Sequence, residues 1–382
     1  MHTYHKVILA LGSNLGDKKS HLEDAIRLIH NHIGIVTQTS AVYETPAWGF
    51  NSFPFYNMCV LVHTTLVAEE LLAALQQIER KLGRTVKTSA NYEARTVDID
   101  IIYFNNEVLK NPNLQIPHNE MQNRQFVLVP LNDLVFDWKH PVLDKTTQEL
   151  LMECADASEI KKVDYIKLPI EDFAFETIHF LAIEGNIGAG KTTLAEKIAQ
   201  DFNGKMLLER FVENPFLPKF YNDSKRYAFA LETSFLVDRT AQLKEQLHLY
   251  KAENNLLIAD YYIYKSLIFA EVTLDTDEFF LYKTIFDAMT NQVKTPDLYI
   301  YLHQSNENLL QNIQKRGRSY EKDIQANYLE RITQGYRAFI KTLPKENVLI
   351  IDVTNKDFVN NHEDYLYILE KINEKLRNKA MN

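Results

Sequence analysis

A chain of 382 residues with 46% hydrophobic side chains is long for one core and comfortable for two domains of about 150 to 200 residues each. Its net charge of −9 argues against non-specific binding of nucleic acid, whose binders carry a basic excess. Two cysteines, far apart among apolar neighbours, suggest neither a disulfide framework nor a metal cluster, and no apolar run reaches about 18 residues, so a cytoplasmic protein without a membrane partner is expected.

The first apolar run, residues 6–11, has strand length and ends at Gly12-Ser13-Asn14, too short a run for a signal peptide. Residues 18–33 repeat Leu22, Ile26, Ile29 and Ile33 at helical spacing. Residues 36–43 read as a second strand and 57–64 as a third, separated by a loop rich in proline and aromatics that contains Thr45-Pro46 and Trp48-Gly49. Residues 68–82 set Leu71, Leu72, Leu75, Ile78 and Leu82 on one helical face, and Gly83 stops the helix.

The next strand, residues 95–103, reads RTVDIDIIY. Side chains alternate along a strand, so Asp98 and Asp100 share one face while Val97, Ile99 and Ile101 pack inward. Two neighbouring carboxylates repel unless a cation lies between them, and Mg²⁺ bridging nucleotide phosphates is the natural occupant. A solvated acidic face on an edge strand is the bland alternative, and for an isolated pair it is the more common one.

The pair is not isolated. LGSNLGD (11–17), YETP (43–46), FYN (55–57), IERKLGR (78–84), RTVDIDII (95–102) and IPHNEMQNRQFVLVPL (116–131) follow one another in an order and spacing that resemble the 6-hydroxymethyl-7,8-dihydropterin pyrophosphokinases over residues 5–160. The resemblance implies a ferredoxin-like α+β fold and transfer of a pyrophosphoryl group from ATP to the pterin hydroxymethyl, with release of AMP. It also implies Asp98 and Asp100 as Mg²⁺ ligands, Arg84 and Arg95 as catalytic arginines on the transferred phosphates, and Glu79, His118 and Arg124 on ATP. Thr45, Phe55, Asn57 and Phe126 fall on pterin-pocket positions, where a flat heteroaromatic needs a stacking wall and an amide to read its edge. Tyr92 stands where the family carries Trp and Asn113 where it carries Arg, with Lys87 able to supply some of the missing charge.

A short helical segment at 147–154 leads into a closing strand and a linker of mixed charge. Domains of residues 1–165 and 178–382, joined by a linker at 166–177, are expected.

Residues 180–194, FLAIEGNIGAGKTTL, then place Gly185, Gly190, Lys191 and Thr192 in the G-x-x-x-x-G-K-[ST] pattern between a strand and a helix. Glycines let successive backbone N–H groups point into a phosphate cradle, and the helix adds the positive end of its dipole. Gly188, Asn186 and Thr193 belong to the same ATP-binding loop, Lys191 reaches the outer phosphates, and the Thr192 hydroxyl is placed for Mg²⁺. Apolar strands at 256–259, 298–302 and 348–351 alternate with amphipathic helices, the pattern of a parallel sheet flanked by helices.

LLERFVENPFLPKFY (207–221), RYAFALETSFLVDR (226–239), PDLYIYL (296–302) and KRGRSYE (315–321) make this half resemble the bacterial deoxynucleoside kinases over residues 178–355. The resemblance implies Glu209 as general base toward the nucleoside 5′-hydroxyl, Arg316 and Arg318 as a catalytic lid, and Tyr221 with Glu321 on the sugar 3′-hydroxyl. Glu232 and Arg239 fall on base-reading positions, and a homodimer through the second domain is implied. Many relatives have Gln where this chain has Glu232. A carboxylate only accepts hydrogen bonds and so favours guanine, although a plain surface glutamate is the alternative. Where relatives carry an acidic-Arg-Ser/Thr motif to steady the general base, this chain reads Asp260-Tyr261-Tyr262, with Asp260 still available to Mg²⁺. Two readings therefore stand: a bifunctional enzyme, or a pterin pyrophosphokinase whose second half senses nucleotide or dimerises without kinase activity.

Overall fold

The computed structural model describes residues 4–50, 52–84, 94–211, 214–253, 256–322 and 324–380. The chain divides into two compact units, Met1–Phe173 with Asn360–Leu366, and Ala174–Val359 with Tyr367–Asn382.

The first unit runs β1 (His5–Ser13), α1 (Lys18–His32), β2 (Gly34–Thr39), β3 (Val42–Thr45), β4 (Phe55–Thr64), α2 (Ala68–Lys81), β5 (Asp98–Phe104), β6 (Leu109–Asn111), β7 (Leu114–Ile116), α3 (Gln125–Val135), α4 (Thr147–Glu153) and β8 (Lys161–Asp164). Its antiparallel sheet has the order β5-β1-β4-β3-β8, with β2 also on β4, while β6 and β7 form a separate hairpin. Both faces are covered. Val7, Leu9 and Leu11 of β1 pack on Leu22, Ile26 and Ile29 of α1 and on Leu71, Leu75 and Ile78 of α2. Ile8 points the other way and joins Cys59, Leu61, Leu128, Leu131 and Leu150 under α3 and α4. Each fully buried side chain of this size is worth roughly 1.5 to 3 kcal/mol of transfer free energy.

The single strand predicted over 36–43 is two strands. β2 pairs with Thr64 to Val60 of β4 and β3 with Asn57 to Phe55, and the register shifts between them. The break falls at Ser40, whose hydroxyl accepts the Cys59 N–H at 2.9 Å while its own N–H donates to the Cys59 carbonyl at 2.9 Å. A side chain thus stands in for a backbone acceptor, as at a bulge.

The second unit runs β9 (Phe180–Gly185), α5 (Lys191–Asp201), β10 (Lys205–Leu207), α6 (Leu217–Asn222), α7 (Ser224–Glu253), β11 (Leu257–Ala259), α8 (Lys265–Thr273), α9 (Thr276–Thr290), β12 (Leu298–His303), α10 (Asn306–Arg316), α11 (Ala326–Ile340), β13 (Val348–Asp352) and, from Tyr367 on, α12 (His362–Ala380). Its sheet is parallel throughout, in the order β10-β11-β9-β12-β13. β9 is central and buried along its whole length, which places the glycine loop at the carboxyl edge where such sheets bind ligands. Tyr261 and Tyr262 prove to be core residues, at 0% and 2% exposure, and the Tyr261 hydroxyl donates to Gln242 Oε1 at 2.5 Å. Among the described residues no helix is long and apolar enough to cross a membrane.

Two candidate active sites

In the first unit one cavity is lined by Thr45, Phe55 and Asn57 from β3 and β4, Asp98 and Asp100 from β5, Arg95 before it, and Arg124 and Phe126 at the start of α3. Asn57 Nδ2 donates to Thr45 Oγ1 at 2.7 Å, which fixes the amide. Gly12 is required beside it, since a Cβ there would lie 2.9 Å from Asn57 Oδ1. Trp48 stands 6.1 Å from Phe126, centroid to centroid, and the Arg124 guanidinium lies 5.7 Å from the same ring. Trp48 and Phe50 line the cavity too, and the aromatic composition of their loop was the only sequence signal for them.

The acidic strand is held by arginines. Asp98 pairs with Arg84 at 2.8 Å and with Arg95 at 2.6 Å. Asp100 is pushed up to about 7 by burial first, then by the charges of Asp98 and Glu79. Glu79, predicted to hold ATP, lies behind the arginine instead. It is 5% exposed, its Oε1 accepts the Ile99 N–H at 2.9 Å and meets Arg84, so it braces β5 and the guanidinium. His118 Nδ1 accepts the Glu120 N–H at 3.3 Å, and burial lowers its pKa. Lys87 and Tyr92 lie outside the described residues.

One positioning residue went unread in the sequence. Asn14 is 2% exposed, its Nδ2 donates to Ser52 Oγ at 3.0 Å and to the Phe53 carbonyl at 3.2 Å, and its Oδ1 accepts the Arg95 N–H at 2.8 Å. It ties the loop that carries Trp48 and Phe50 to the segment that carries Arg95.

In the second unit a single cavity brings together Gly188, Lys191 and Thr192 of the loop, Glu209, Tyr221, Glu232, Arg239 and Asp260, and Arg316, Arg318 and Glu321. Gly190 caps α5 at a left-handed φ of 86°, and a Cβ there would meet the Phe358 ring at 2.6 Å. Gly185 ends β9 and Thr193 is half-buried in the first turn of α5. Asn186, predicted to face ATP, turns its side chain away: Nδ2 donates to the Leu329 carbonyl at 2.7 Å and to Thr333 at 2.9 Å, while its own carbonyl accepts Lys191 Nζ at 2.9 Å. Burial, then Lys265, lowers the Lys191 pKa to about 8. Asp260 joins the two halves of the chemistry, accepting the Thr192 hydroxyl at 2.5 Å and the Glu209 N–H at 2.9 Å.

Arg239 corrects a second expectation. Instead of facing a base, it gives Nε at 2.8 Å and Nη2 at 2.5 Å to Glu209 Oε1, and Nη1 at 2.7 Å to Ser266. Lys265 Nζ takes the other oxygen of Glu209 at 2.7 Å. Burial alone raises the pKa of Glu209, but Lys265 and Arg239 outweigh it and hold the carboxyl well below the usual range. The Arg missing after Asp260 is thus replaced by Lys265, at the start of α8, and by Arg239. A lysine only 7% exposed was the signal to look for, and burial is not visible in a sequence. Glu321 meets Arg316 through Nε at 3.1 Å and Arg318 at 3.3 Å, and Arg318 lies 3.9 Å from the Phe211 ring. Tyr221 packs on Tyr320 at 5.7 Å.

A glycine loop feeding a parallel sheet, with a cation-held carboxylate above it, defines a P-loop kinase. Paired aspartates framed by arginines beside an aromatic slot form a second phosphoryl-transfer site on an antiparallel sheet. The family model for deoxynucleoside kinase matches residues 181–377, and that for 7,8-dihydro-6-hydroxymethylpterin-pyrophosphokinase matches residues 8–136. The deoxyguanosine kinase of Bacillus subtilis is 42% identical over 202 residues, covering 52% of this chain and 98% of that protein. The 2-amino-4-hydroxy-6-hydroxymethyldihydropteridine pyrophosphokinase of Porphyromonas gingivalis is 41% identical over 138 residues, covering 35% of this chain and 93% of that protein. A solved deoxyadenosine kinase from M. mycoides aligns at 28% identity and a TM-score of 0.45, over 51% of this chain and 98% of that one. The chain belongs to the deoxynucleoside kinase family through its second half and to the pterin pyrophosphokinase family through its first.

Proposed function

We propose that one chain carries two ATP-dependent transfers: pyrophosphorylation of 6-hydroxymethyl-7,8-dihydropterin, and 5′-phosphorylation of a deoxynucleoside with deoxyguanosine favoured. The observation that carries the second activity is Glu209 clamped by Arg239 and Lys265 in the same cavity as Lys191. A carboxylate held this way is a weak base, and its contribution is to hold the 5′-hydroxyl in line, where positioning supplies most of the rate of a loose phosphoryl transfer. Lys191, Arg316 and Arg318 then neutralise charge on the moving phosphoryl group. A merely nucleotide-sensing second half loses its support, because the Arg absent after Asp260 is functionally replaced.

In the first unit the aromatic slot stacks the pterin, Asn57 reads its edge, and Arg84 and Arg95 meet the transferred phosphates. Magnesium fits the donor set in both sites. Burial and the Asp98 charge make the ionised form of Asp100 costly, a cost that a bound cation offsets, and Thr192 with Asp260 offers two adjacent oxygens beside Lys191. Magnesium supplies charge neutralisation on the phosphates when bound. Among the described residues no group of three acidic, His or Cys side chains converges, so phosphate oxygens and water would have to complete the shell. We extend the reading to a cytoplasmic homodimer through the second unit, supported by the exposed Val237, Phe280 and Leu281 of α7 and α9.

The two transfers leave different products. Purified full chain with ATP should release AMP only when pterin is added and ADP only when a deoxynucleoside is added. ADP release indifferent to deoxynucleosides contradicts the second activity, and AMP release indifferent to pterin contradicts the first.

A further inference from the structure

We propose that Glu232 makes the choice between purines depend on pH, reading guanine as a carboxylate and adenine as a carboxylic acid. The inference rests on the kinase activity proposed above and on the base-reading position that Glu232 takes by resemblance.

Glu232 lines the cavity from α7 at 3% exposure, yet little satisfies it. Its carboxyl accepts the Thr273 hydroxyl at 3.2 Å, and that single proton is also directed at the Phe269 carbonyl at 2.9 Å. The cations nearby are committed elsewhere: Arg239, on the same helix, to Glu209 and Ser266, and Lys265 of α8 to Glu209. The other titratable groups facing Glu232 are Glu209 itself, Tyr221 of α6, Tyr282 of α9 and Tyr328 of α11. Tyr282 spends its proton on the Glu232 main-chain carbonyl at 3.2 Å. Burial pushes the Glu232 carboxyl up to about 7, against the pull of Arg239 and of the Thr273 hydrogen bond. Both protonation states are therefore populated near neutrality.

The two states present different edges. The carboxylate offers two acceptors, which match N1–H and N2–H of guanine, and it repels the N1 lone pair of adenine. The acid offers one donor and one acceptor, which match N1 and N6–H of adenine, whereas in the register where the carboxylate spans N1–H and N2–H of guanine its proton meets another donor. No bond is made or broken in this selection, only one proton shared with solvent. Because kcat/KM reports the ionisation of the free enzyme, the ratio of kcat/KM for deoxyguanosine to that for deoxyadenosine follows the ratio of ionised to neutral Glu232. Ionisations common to both reactions, at Lys191 or Glu209, cancel in that ratio. It should rise about tenfold per pH unit across the neutral range.

The test is to measure kcat/KM for both purine deoxynucleosides with the full chain at several pH values between about 6 and 8, for the wild type and for Glu232→Gln. The wild-type ratio is expected to climb about a hundredfold across that range, and Glu232→Gln, a fixed donor and acceptor, is expected to give a flat ratio tilted toward deoxyadenosine. A flat wild-type ratio with the tilt preserved in the variant overturns the titration and leaves base reading standing. An unchanged ratio in the variant overturns base reading itself, and a slope that survives in Glu232→Gln assigns the proton to another group and also overturns the proposal.

Discussion

The two sites set their acidic residues in opposite electrostatic conditions. In the second unit Glu209 meets two buried cations, Arg239 and Lys265, and its pKa falls although burial opposes the fall. In the first unit Arg84 and Arg95 pair with Asp98, while Asp100, half-buried beside Asp98 and Glu79, is pushed up to about 7. The same functional group is thus saturated with positive charge in one place and short of it in the other. A carboxylate whose charge the protein already balances can orient a neutral hydroxyl, whereas one left short is suited to a cation brought in with the substrate. The difference supports the proposal of positioning chemistry for Glu209 and of ligand-borne charge at the Asp98–Asp100 pair.

Substitutions sharpen that contrast when both activities are read on the same preparation. Asp100→Ala should have the largest effect, lowering pterin pyrophosphorylation by about a thousandfold or more and leaving deoxynucleoside phosphorylation unchanged. Steady-state rates check this, and an equal loss in both activities would mean that the chain is misfolded rather than short of a ligand. Lys265→Met should lower deoxynucleoside phosphorylation by about a hundredfold, because an ion pair left half-broken in a buried site is costly, and Lys265→Arg should recover part of the loss. A rate within about threefold of wild type in Lys265→Met would show that Arg239 suffices alone. Asn14→Ala should cut kcat/KM of the pterin reaction by about tenfold, through kcat and KM together, since the Arg95 segment keeps only its main-chain bond to residue 14 and the aromatic loop loses its anchor. An effect confined to the pterin KM would instead limit Asn14 to the aromatic loop.

The smallest effect concerns stability. Glu232 has a folded-state pKa raised above its unfolded value, so the native state binds the extra proton and loses stability as pH rises from the unfolded pKa toward about 7. Glu232→Gln removes that cost. Its melting temperature should exceed that of wild type by a few degrees at about pH 8.5 and by little at about pH 4.5. A constant difference at all pH values would place the gain in packing rather than ionisation.

Features dictated by local geometry were legible in the sequence. The glycine loop between strand and helix needs no tertiary information, and the alternation of Asp98 and Asp100 with Val97, Ile99 and Ile101 follows from strand periodicity; the latter three are buried and in one core. Features set by through-space partners were not. Lys265 replaces an arginine of a different chain position because α8 brings its amine to Glu209, and nothing in the spacing marks it. Arg239 occupies a base-reading position by motif yet is drawn to the stronger partner, an ionised carboxylate. Asn186 sits in the phosphate loop, but its amide finds better satisfied bonds on α11. The break at Ser40 escaped for the same reason: a hydroxyl replacing a backbone acceptor leaves the apolar pattern of a continuous strand intact.

The most direct measurement is the rate of deoxynucleoside phosphorylation by Glu209→Gln in the full chain, with pterin pyrophosphorylation as the internal control. Gln keeps the size of the side chain but removes the charge that Arg239 and Lys265 hold. A collapse of the kinase rate with the pterin rate unchanged is the expected result. Kinase turnover close to that of the wild type would contradict the assignment of the clamped carboxylate as the group that holds the 5′-hydroxyl.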